Sequence, residues 1–164
     1  MKRTICFLLI LCLLLSGCSV IGERLKEPVT FYYLCSEYQE KLCCVITSEE
    51  REASGHSQDL SYLLQLYLMG PVSDECRLPL RAGTQIQNIT MKDARIEIQL
   101  SDTASTLSDI DFSLACACLT LTCLDVTDAE SVTLKCGSRA STMSRDTLTL
   151  YDTIAATDPT EVSQ

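Results

Sequence analysis

The chain has 164 residues and carries 22 acidic against 13 basic side chains, for a formal net charge of −9 at pH 7. This length suffices for one modest domain with a hydrophobic core. The acidic balance argues against binding to nucleic acid, or to anionic lipid headgroups through a basic patch.

The first residues have the pattern of an export signal. Lys2 and Arg3 form a short positive region, and an apolar stretch follows at 5–15. A helix needs about 20 apolar residues to span a bilayer, so this stretch is too short for a membrane span. We therefore predict a signal peptide over residues 1–17.

The signal ends in a sequence that resembles a lipobox, the recognition sequence of bacterial lipoproteins. Leu15, Ser16 and Gly17 stand directly before Cys18. In lipoproteins this cysteine is acylated with diacylglycerol and becomes the N-terminus after cleavage. The resemblance implies that Cys18 carries lipid, that 18–28 is a lipidated tether, and that the chain is anchored to the outer face of the cell membrane.

The remaining cysteines admit two interpretations. Eight follow Cys18, at positions 35, 43, 44, 76, 116, 118, 123 and 136. An even number in an exported protein is typical of a disulfide framework, and a bond between Cys35 and Cys43 would suit a hairpin. Most of them lie within apolar runs, however, where cysteine behaves as a small buried hydrophobe. We favour mostly reduced thiols.

The domain begins with a predicted hairpin. β-branched and aromatic residues at 29–35 predict its first strand. The run at 42–47 predicts the second, and because it is apolar on both faces we expect a central place in the sheet. The charged segment 48–55 is expected to be solvated.

A helix is predicted next, from apolar residues at helical spacing over 60–68. Ser57 can cap it, Asp59 favours the positive end of its dipole, and Gly70 with Pro71 ends it. A loop at 76–84 should follow this helix.

A second hairpin is predicted from strands at 85–91 and 95–100. Apolar and polar residues alternate along its second strand. We therefore expect three side chains of that strand to point into the core: Ile96, Ile98 and Leu100.

The last third is predicted to hold a second helix and a strand. Ser108 or Asp109 can cap the segment 112–124, although Cys and Thr are weak helix formers and a strand is an alternative. A helix would place five residues on one stripe: Phe112, Ala115, Cys116, Leu119 and Cys123. A strand at 131–136 follows.

Beyond this strand the chain is rich in Ser and Thr. Residues 139–164 are predicted to form a C-terminal extension, mostly a disordered tail, with 147–151 adding an edge strand. The order ββαββαβ defines a single α+β domain. Its two helices should lie on one face of a small mixed or antiparallel sheet.

This order and several short sequences resemble the GerMN domain, named for a spore germination protein of spore-forming bacteria. The matching stretches are "FYYL" (31–34), "LLQLYLMGP" (63–71), "LPLRAGTQIQNI" (78–89), "ARIEIQLS" (94–101) and the segment 114–138. The resemblance covers 29–138 and implies that 112–124 is a helix. Members of this family are typically exported lipoproteins and are thought to resemble ring-building domains that pack side by side in sporulation assemblies.

The cysteines of the second helix are poorly placed for metal binding. On a helix Cys116 and Cys118 point about 200° apart, and Cys123 lies about 10 Å from Cys116 along the axis. Zn–S bonds are about 2.3 Å long, so one zinc ion could not join them. On a strand, Cys116 and Cys118 would share a face and a metal would become feasible.

The other candidates for chemistry have simpler explanations. His56 lies in a polar linker. The carboxylate pairs Asp109 with Asp111 and Asp125 with Asp128 lie at predicted helix ends, where capping accounts for them. We therefore predict no enzyme, no catalytic residue, no metal site and no cofactor.

Two functions of different class follow. The first is a membrane-anchored extracytoplasmic lipoprotein with a non-catalytic GerMN-like interaction module, acting in sporulation, germination or envelope assembly. Its partners would be proteins of the envelope or the spore assembly, with self-association an option and nucleic acid excluded. The alternative is a thiol-based envelope lipoprotein that binds metal or handles redox, motivated by the eight cysteines.

The lipid anchor predicts the behaviour of Cys18→Ala in the native host. The variant should lose fatty-acid labelling, and it should either leave the membrane fraction or remain as an unprocessed precursor. Metabolic labelling and fractionation measure both, with Cys12→Ala as the control that keeps label and location. Unchanged membrane partitioning and size in Cys18→Ala would contradict the anchor.

Overall fold

A computed structural model describes residues 26–36 and 45–148, so the predicted signal, the segment 42–44 and the end of the chain from 149 lie outside the described residues. The described elements, in chain order, are β1 (Pro28–Cys35), β2 (Ile46–Glu52), α1 (Leu60–Leu68), β3 (Cys76–Arg77), β4 (Ile86–Lys92), β5 (Arg95–Leu100), a 3₁₀ helix (Asp102–Thr106), α2 (Asp109–Val126), β6 (Ser131–Cys136) and β7 (Arg139–Ser144). The α+β class is confirmed, and the predicted order ββαββαβ is present with β3 and β7 as additions.

The strands divide between two sheets, where the sequence predicted one. The first sheet has the order β2-β1-β3 and is antiparallel. The second has the order β4-β5-β6-β7 and is mixed, because β5 and β6 run parallel while the outer pairs are antiparallel. Helix α2 packs against β1 of the first sheet and against β6 and β7 of the second. One helix therefore joins two sheets.

Helix α2 forms despite its weak helix formers because it is capped and enclosed. The Ser108 hydroxyl accepts a hydrogen bond from the Asp111 amide at 3.1 Å, which satisfies an amide of the first turn. The predicted stripe is buried, and so are residues on the other sides of the helix: Ala117, Cys118, Thr120, Thr122 and Leu124. A helix that is buried all round gains its stability from tertiary packing rather than from propensity.

The peptide groups of Tyr32 connect β1 to both helices. Strand β3 pairs only with Leu34 and Cys35, so Tyr32 has no strand neighbour on that side within the part of the chain that the structure describes. Its amide donates instead to the Thr122 hydroxyl of α2 at 3.0 Å, and its carbonyl accepts from the Tyr67 hydroxyl of α1 at 3.0 Å. Two side chains thus complete the hydrogen bonding that a longer β3 would have supplied.

Helix α1 is positioned by its cap and by one aromatic stack. Asp59, rather than Ser57, is the N-cap, and its carboxylate accepts from the Tyr62 amide at 3.1 Å. The Tyr67 ring stacks on Tyr33 with centroids 4.7 Å apart. Gly70, with φ of +89°, turns the chain out of the helix as predicted.

The segment 48–55 was predicted to be solvated, and this is wrong for Glu49 and Arg51, whose side chains are mostly buried. Strand β2 continues to Glu52 and lies at the edge of its sheet rather than at the centre. Arg51 donates to the carbonyls of Leu66 and Gly70 at 3.2 and 3.0 Å, and so satisfies the C-terminal end of α1. The Glu49 carboxylate accepts from the Val72 amide at 3.0 Å. Two charged side chains of this edge strand, Glu49 and Arg51, therefore hydrogen-bond to backbone groups at and just beyond the C-terminal end of α1.

The C-terminal prediction also needs correction. Residues 139–144, assigned to the extension, form strand β7 beside β6. Residues 145–148 form a helical turn, so the predicted edge strand at 147–151 does not begin where expected. Within 26–36 and 45–148, no helix is long and apolar enough to span a membrane.

The Tyr32–Thr122 hydrogen bond yields a stability test. Thr122→Val keeps the shape of the side chain but leaves the Tyr32 amide without this acceptor, which should lower the free energy of unfolding by about 1–3 kcal/mol. The control is Thr120→Val. Among the described residues, the buried Thr120 hydroxyl has only the weakly bonding Cys116 thiol beside it and no other hydrogen-bond partner.

Urea unfolding of both variants measures the difference. Thr120→Val should be neutral or stabilising, since a buried hydroxyl with so little compensation is replaced by a methyl group. Equal losses in the two variants would show that the Thr122 hydroxyl contributes nothing specific.

Candidate functional site

The thiols of α2 point to different parts of the core. The Cys116 Sγ donates to the Ser141 carbonyl of β7 at 3.5 Å. Burial raises the pKa of the Cys118 thiol to about 12, with a smaller contribution from Cys35 on β1. Burial likewise raises the pKa of Cys123 to about 12. Thiols with such pKa values are protonated at neutral pH and make poor nucleophiles.

The helical assignment of this segment is confirmed, so the geometric argument against a shared zinc ion applies. Cys116 and Cys118 are two residues apart on α2, and Cys123 is nearly two turns further on. Among the described residues, no group of three or more His, Cys, Asp or Glu side chains could hold a metal ion. The absence of a cofactor stays a prediction.

His56 and the carboxylates at the start of α2 have structural partners. The His56 ring stacks on Tyr62 with centroids 4.4 Å apart, and its Nδ1 lies 4.0 Å from Asp59. Asp109 accepts from the Arg139 guanidinium at 3.0 Å. Asp111 belongs to the cap of α2. Asp125 and Asp128 are exposed and lie on either side of the end of α2.

The predicted lipidation site lies outside the described residues. This holds for Cys18 and for the lipobox residues Leu15, Ser16 and Gly17. The lipid anchor therefore stays a prediction.

A groove between α1 and the edge strand β4 is the candidate binding surface. It is open to solvent, with a volume of about 650 Å³. Apolar side chains of both elements contribute to its wall, among them Met69 and Ile89. Its polar lining is entirely uncharged: Ser61, Gln65, Thr84, Gln85, Gln87 and Asn88.

Two features of this groove are unusual for a free surface. Met69 is 80 % exposed although its side chain is large and apolar. Thr84 is only 7 % exposed, yet its hydroxyl has no hydrogen-bond partner among the described residues. A buried hydroxyl without a partner carries a desolvation cost that a ligand group could relieve.

The outer edge of β4 also offers backbone groups. Asp93 and Ala94 have φ of +49° and +58°, as in a two-residue type I′ hairpin turn, so Lys92 and Arg95 form the closing hydrogen-bonded pair. Hydrogen-bonded and non-hydrogen-bonded pairs alternate along an antiparallel ladder. The amide and carbonyl groups of Ile89 and Met91 therefore point away from β5.

The sequence analysis did not identify this groove. The sequence feature that could have indicated the groove is the stretch 85–91. This stretch alternates apolar residues with Gln, Asn and Thr and carries no charge. Such a strand has none of the charged residues that usually protect a sheet edge.

Comparisons with known proteins agree with this fold. No protein-family profile and no curated protein sequence matches the chain. The structure of the first GerMN domain of the sporulation protein GerM from Bacillus subtilis is similar, with a TM-score of 0.50 and 17 % identity over 70 % of this chain and 85 % of that chain.

Two further structures are similar at lower scores. One is a candidate lipoprotein from Clostridium perfringens, with a TM-score of 0.47 and 16 % identity over 73 % of this chain and 89 % of that one. The other holds tandem GerMN domains of Bacillus subtilis GerM, with a TM-score of 0.49 and 18 % identity over 68 % of this chain and 39 % of that one.

The described residues therefore form an α+β domain in which one helix joins two sheets. That domain has a GerMN-like fold, as the sequence resemblance implied.

The buried thiols predict a loss of stability at alkaline pH. Burial raises the pKa of the Cys118 and Cys123 thiols from the ordinary value of 9.0, which applies to the unfolded chain, to about 12 in the folded chain. Above pH 9 the unfolded state thus binds fewer protons, so the free energy of unfolding falls as pH rises, by up to about 1.4 kcal/mol per pH unit for each thiol.

Urea unfolding under reducing conditions between pH 9 and 10 tests this, because tyrosines in the unfolded chain ionise mainly above that range. Cys118→Ala and Cys123→Ala should each give a shallower decline than the wild type. Slopes that match the wild type in both variants would contradict the raised pKa values. At pH 7 neither the wild type nor the variants should show a slope from these thiols.

Proposed function

We propose that the chain is a lipid-anchored extracytoplasmic protein whose GerMN-like domain binds a protein partner without catalysis. The observation that carries the binding role is the uncharged groove at the open edge of β4, with its exposed Met69. The Thr84 hydroxyl in this groove has no hydrogen-bond partner within 26–36 and 45–148. The anchor rests on the lipobox-like sequence that ends at Cys18.

The occupant of the groove is an extended segment of the partner protein. Sheet edges bind such segments by adding a strand, in which backbone hydrogen bonds supply affinity and side-chain pockets supply specificity. Ile89 and Met91 offer the backbone groups, and the space between β4 and α1 accommodates the side chains of the added strand. Because the lining is uncharged, the matching part of the partner should be apolar or polar but not charged.

The contrast with β2 supports this choice of edge. Strand β2 also lies at the edge of a sheet, but the second half of this strand carries the exposed charged residues Glu50 and Glu52. Charged side chains are a common protection of an edge against pairing. Strand β4 has a single charge, Lys92, beside the hairpin turn, so its outer edge lacks that protection.

The partner is proposed to belong to the cell envelope or the spore assembly. The GerMN-like fold supports this, since the similar domain belongs to a sporulation protein. A thiol-based role has less support, because the described thiols of α2 are buried and protonated at neutral pH.

The groove predicts opposite outcomes for two matched substitutions. Met69→Lys places a charge in the groove, while Val72→Lys places the same charge at an equally exposed site outside its lining; the two side chains are 80 % and 79 % exposed. Lysine at the end of α1 also suits the helix dipole, so folding should be unaffected. We expect Met69→Lys to weaken partner binding roughly tenfold or more and Val72→Lys to leave it unchanged.

A photo-crosslinking residue at Gln87 in the native host provides the assay. The captured protein is identified once, and its crosslinking yield is compared between the two lysine variants. Spore yield and germination are measured in the same strains, and only Met69→Lys should impair either of them. Equal crosslinking in both variants would place the binding surface elsewhere, and normal spores after deletion of the chain would remove the sporulation role.

A further inference from the structure

Cys35 and Cys76 face each other across the two strands β1 and β3. They are direct partners in the antiparallel register, so their side chains lie on the same face of the sheet. Cys76 is buried and Cys35 is partly exposed. The structure shows no disulfide between described residues at either position.

The main-chain hydrogen bonds define the type of this pair. The Cys35 amide donates to the Val45 carbonyl at 3.0 Å, on the side of β2. The next amide, of Ser36, donates to the Glu75 carbonyl at 2.9 Å, on the side of β3. Cys35 and Cys76 are therefore a non-hydrogen-bonded pair, the type in which side chains approach most closely.

Such a pair has the spacing that a disulfide needs. Its Cα atoms are typically about 4.5 Å apart, within the range of about 4.4–6.8 Å that disulfides span. Opposite Cys35 on the other side, the register places Val45 rather than Cys43. The hairpin bond between Cys35 and Cys43 that the sequence allowed thus does not join directly opposed positions, although Cys43 itself lies outside the described residues.

We propose that Cys35 and Cys76 form a cross-strand disulfide when the protein meets an oxidant. The oxidant is a disulfide, such as glutathione disulfide or an exported thiol–disulfide carrier. The Cys35 thiolate, the more accessible of the two, attacks one sulfur of the oxidant, forms a mixed disulfide and expels one thiolate. The Cys76 thiolate then attacks the Cys35 sulfur and expels the second. The two cysteines together lose two protons and two electrons, and the oxidant becomes two thiols.

This bond would reinforce the weakest pairing of the first sheet. Strand β3 has only two residues, so few backbone hydrogen bonds hold it to β1. The bond closes a loop of about 40 residues that contains β2 and α1, which constrains the unfolded chain and should raise Tm by roughly 10 °C. This inference concerns the first sheet alone and does not depend on the proposed partner or on the groove.

Non-reducing peptide mapping tests the pairing directly. The full chain is purified in detergent under reducing conditions, equilibrated with glutathione disulfide, alkylated and digested. The expected result is a peptide pair linked through Cys35 and Cys76, together with a Tm above that of the reduced protein. A link from Cys35 to Cys43, Cys44 or Cys118, or alkylation of both Cys35 and Cys76, would overturn the proposal.

Matched variants test whether the disulfide joins Cys35 to Cys76 or involves another cysteine. The rise in Tm on oxidation should disappear in Cys35→Ser and in Cys76→Ser, and it should persist in the double variant Cys43→Ser, Cys44→Ser. If a serine variant fails to fold, the wild-type peptide map alone decides the question. Loss of the rise in the Cys43, Cys44 variant would assign the bond to one of those residues instead.

Discussion

The peptide groups of Tyr32 impose the constraint on which the rest of the fold depends. Strand β1 has a full neighbour on one side, β2, but on the other side β3 reaches only two of its residues. A buried amide and carbonyl without partners would cost more than most single contacts contribute. The fold supplies Thr122 from α2 and Tyr67 from α1, so both helices are held at one point of the first sheet.

The composition of α2 follows from its enclosed position. Because it contacts β1 on one side and β6 and β7 on the other, large side chains all round would hold the two sheets too far apart. Alanine, cysteine and threonine are small enough to allow close approach, and the Thr122 and Thr127 hydroxyls bond to the carbonyls of Cys118 and Cys123 within the helix. The cysteines of this segment are thus accounted for by packing, while the protonated thiol adds little polarity to the core.

Periodicity in the sequence was sufficient to predict the elements that have one solvated face. Strand β5 and helix α1 each have an apolar face and a polar face, so their pattern specifies both type and orientation. Strands β3 and β7 could not be predicted in this way. The first has two residues, and the second, "RASTMS", has only two apolar residues, Ala140 and Met143, three positions apart, so no period of two is visible.

The division into two sheets and the binding groove depend on long-range contacts. Nothing local distinguishes Glu49 and Arg51 from solvated charges, because their partners lie at the far end of α1 and beyond it. Similarly, nothing local shows that the Thr84 hydroxyl is buried without a hydrogen-bond partner among the described residues. The GerMN resemblance supplied the helical assignment of 112–124 that propensity alone left open, since it used the order of elements along the whole chain.

The distance between the predicted anchor and the domain restricts where a partner can be bound. If Cys18 carries lipid, nine residues lie between it and Pro28, the first residue of β1. Fully extended, such a segment reaches at most about 35 Å. The chain of a partner that adds a strand to β4 must therefore come within the tether length plus about one domain diameter of the membrane. A short tether also raises the local concentration of any partner confined to the same membrane, so a groove of modest affinity would suffice for binding there.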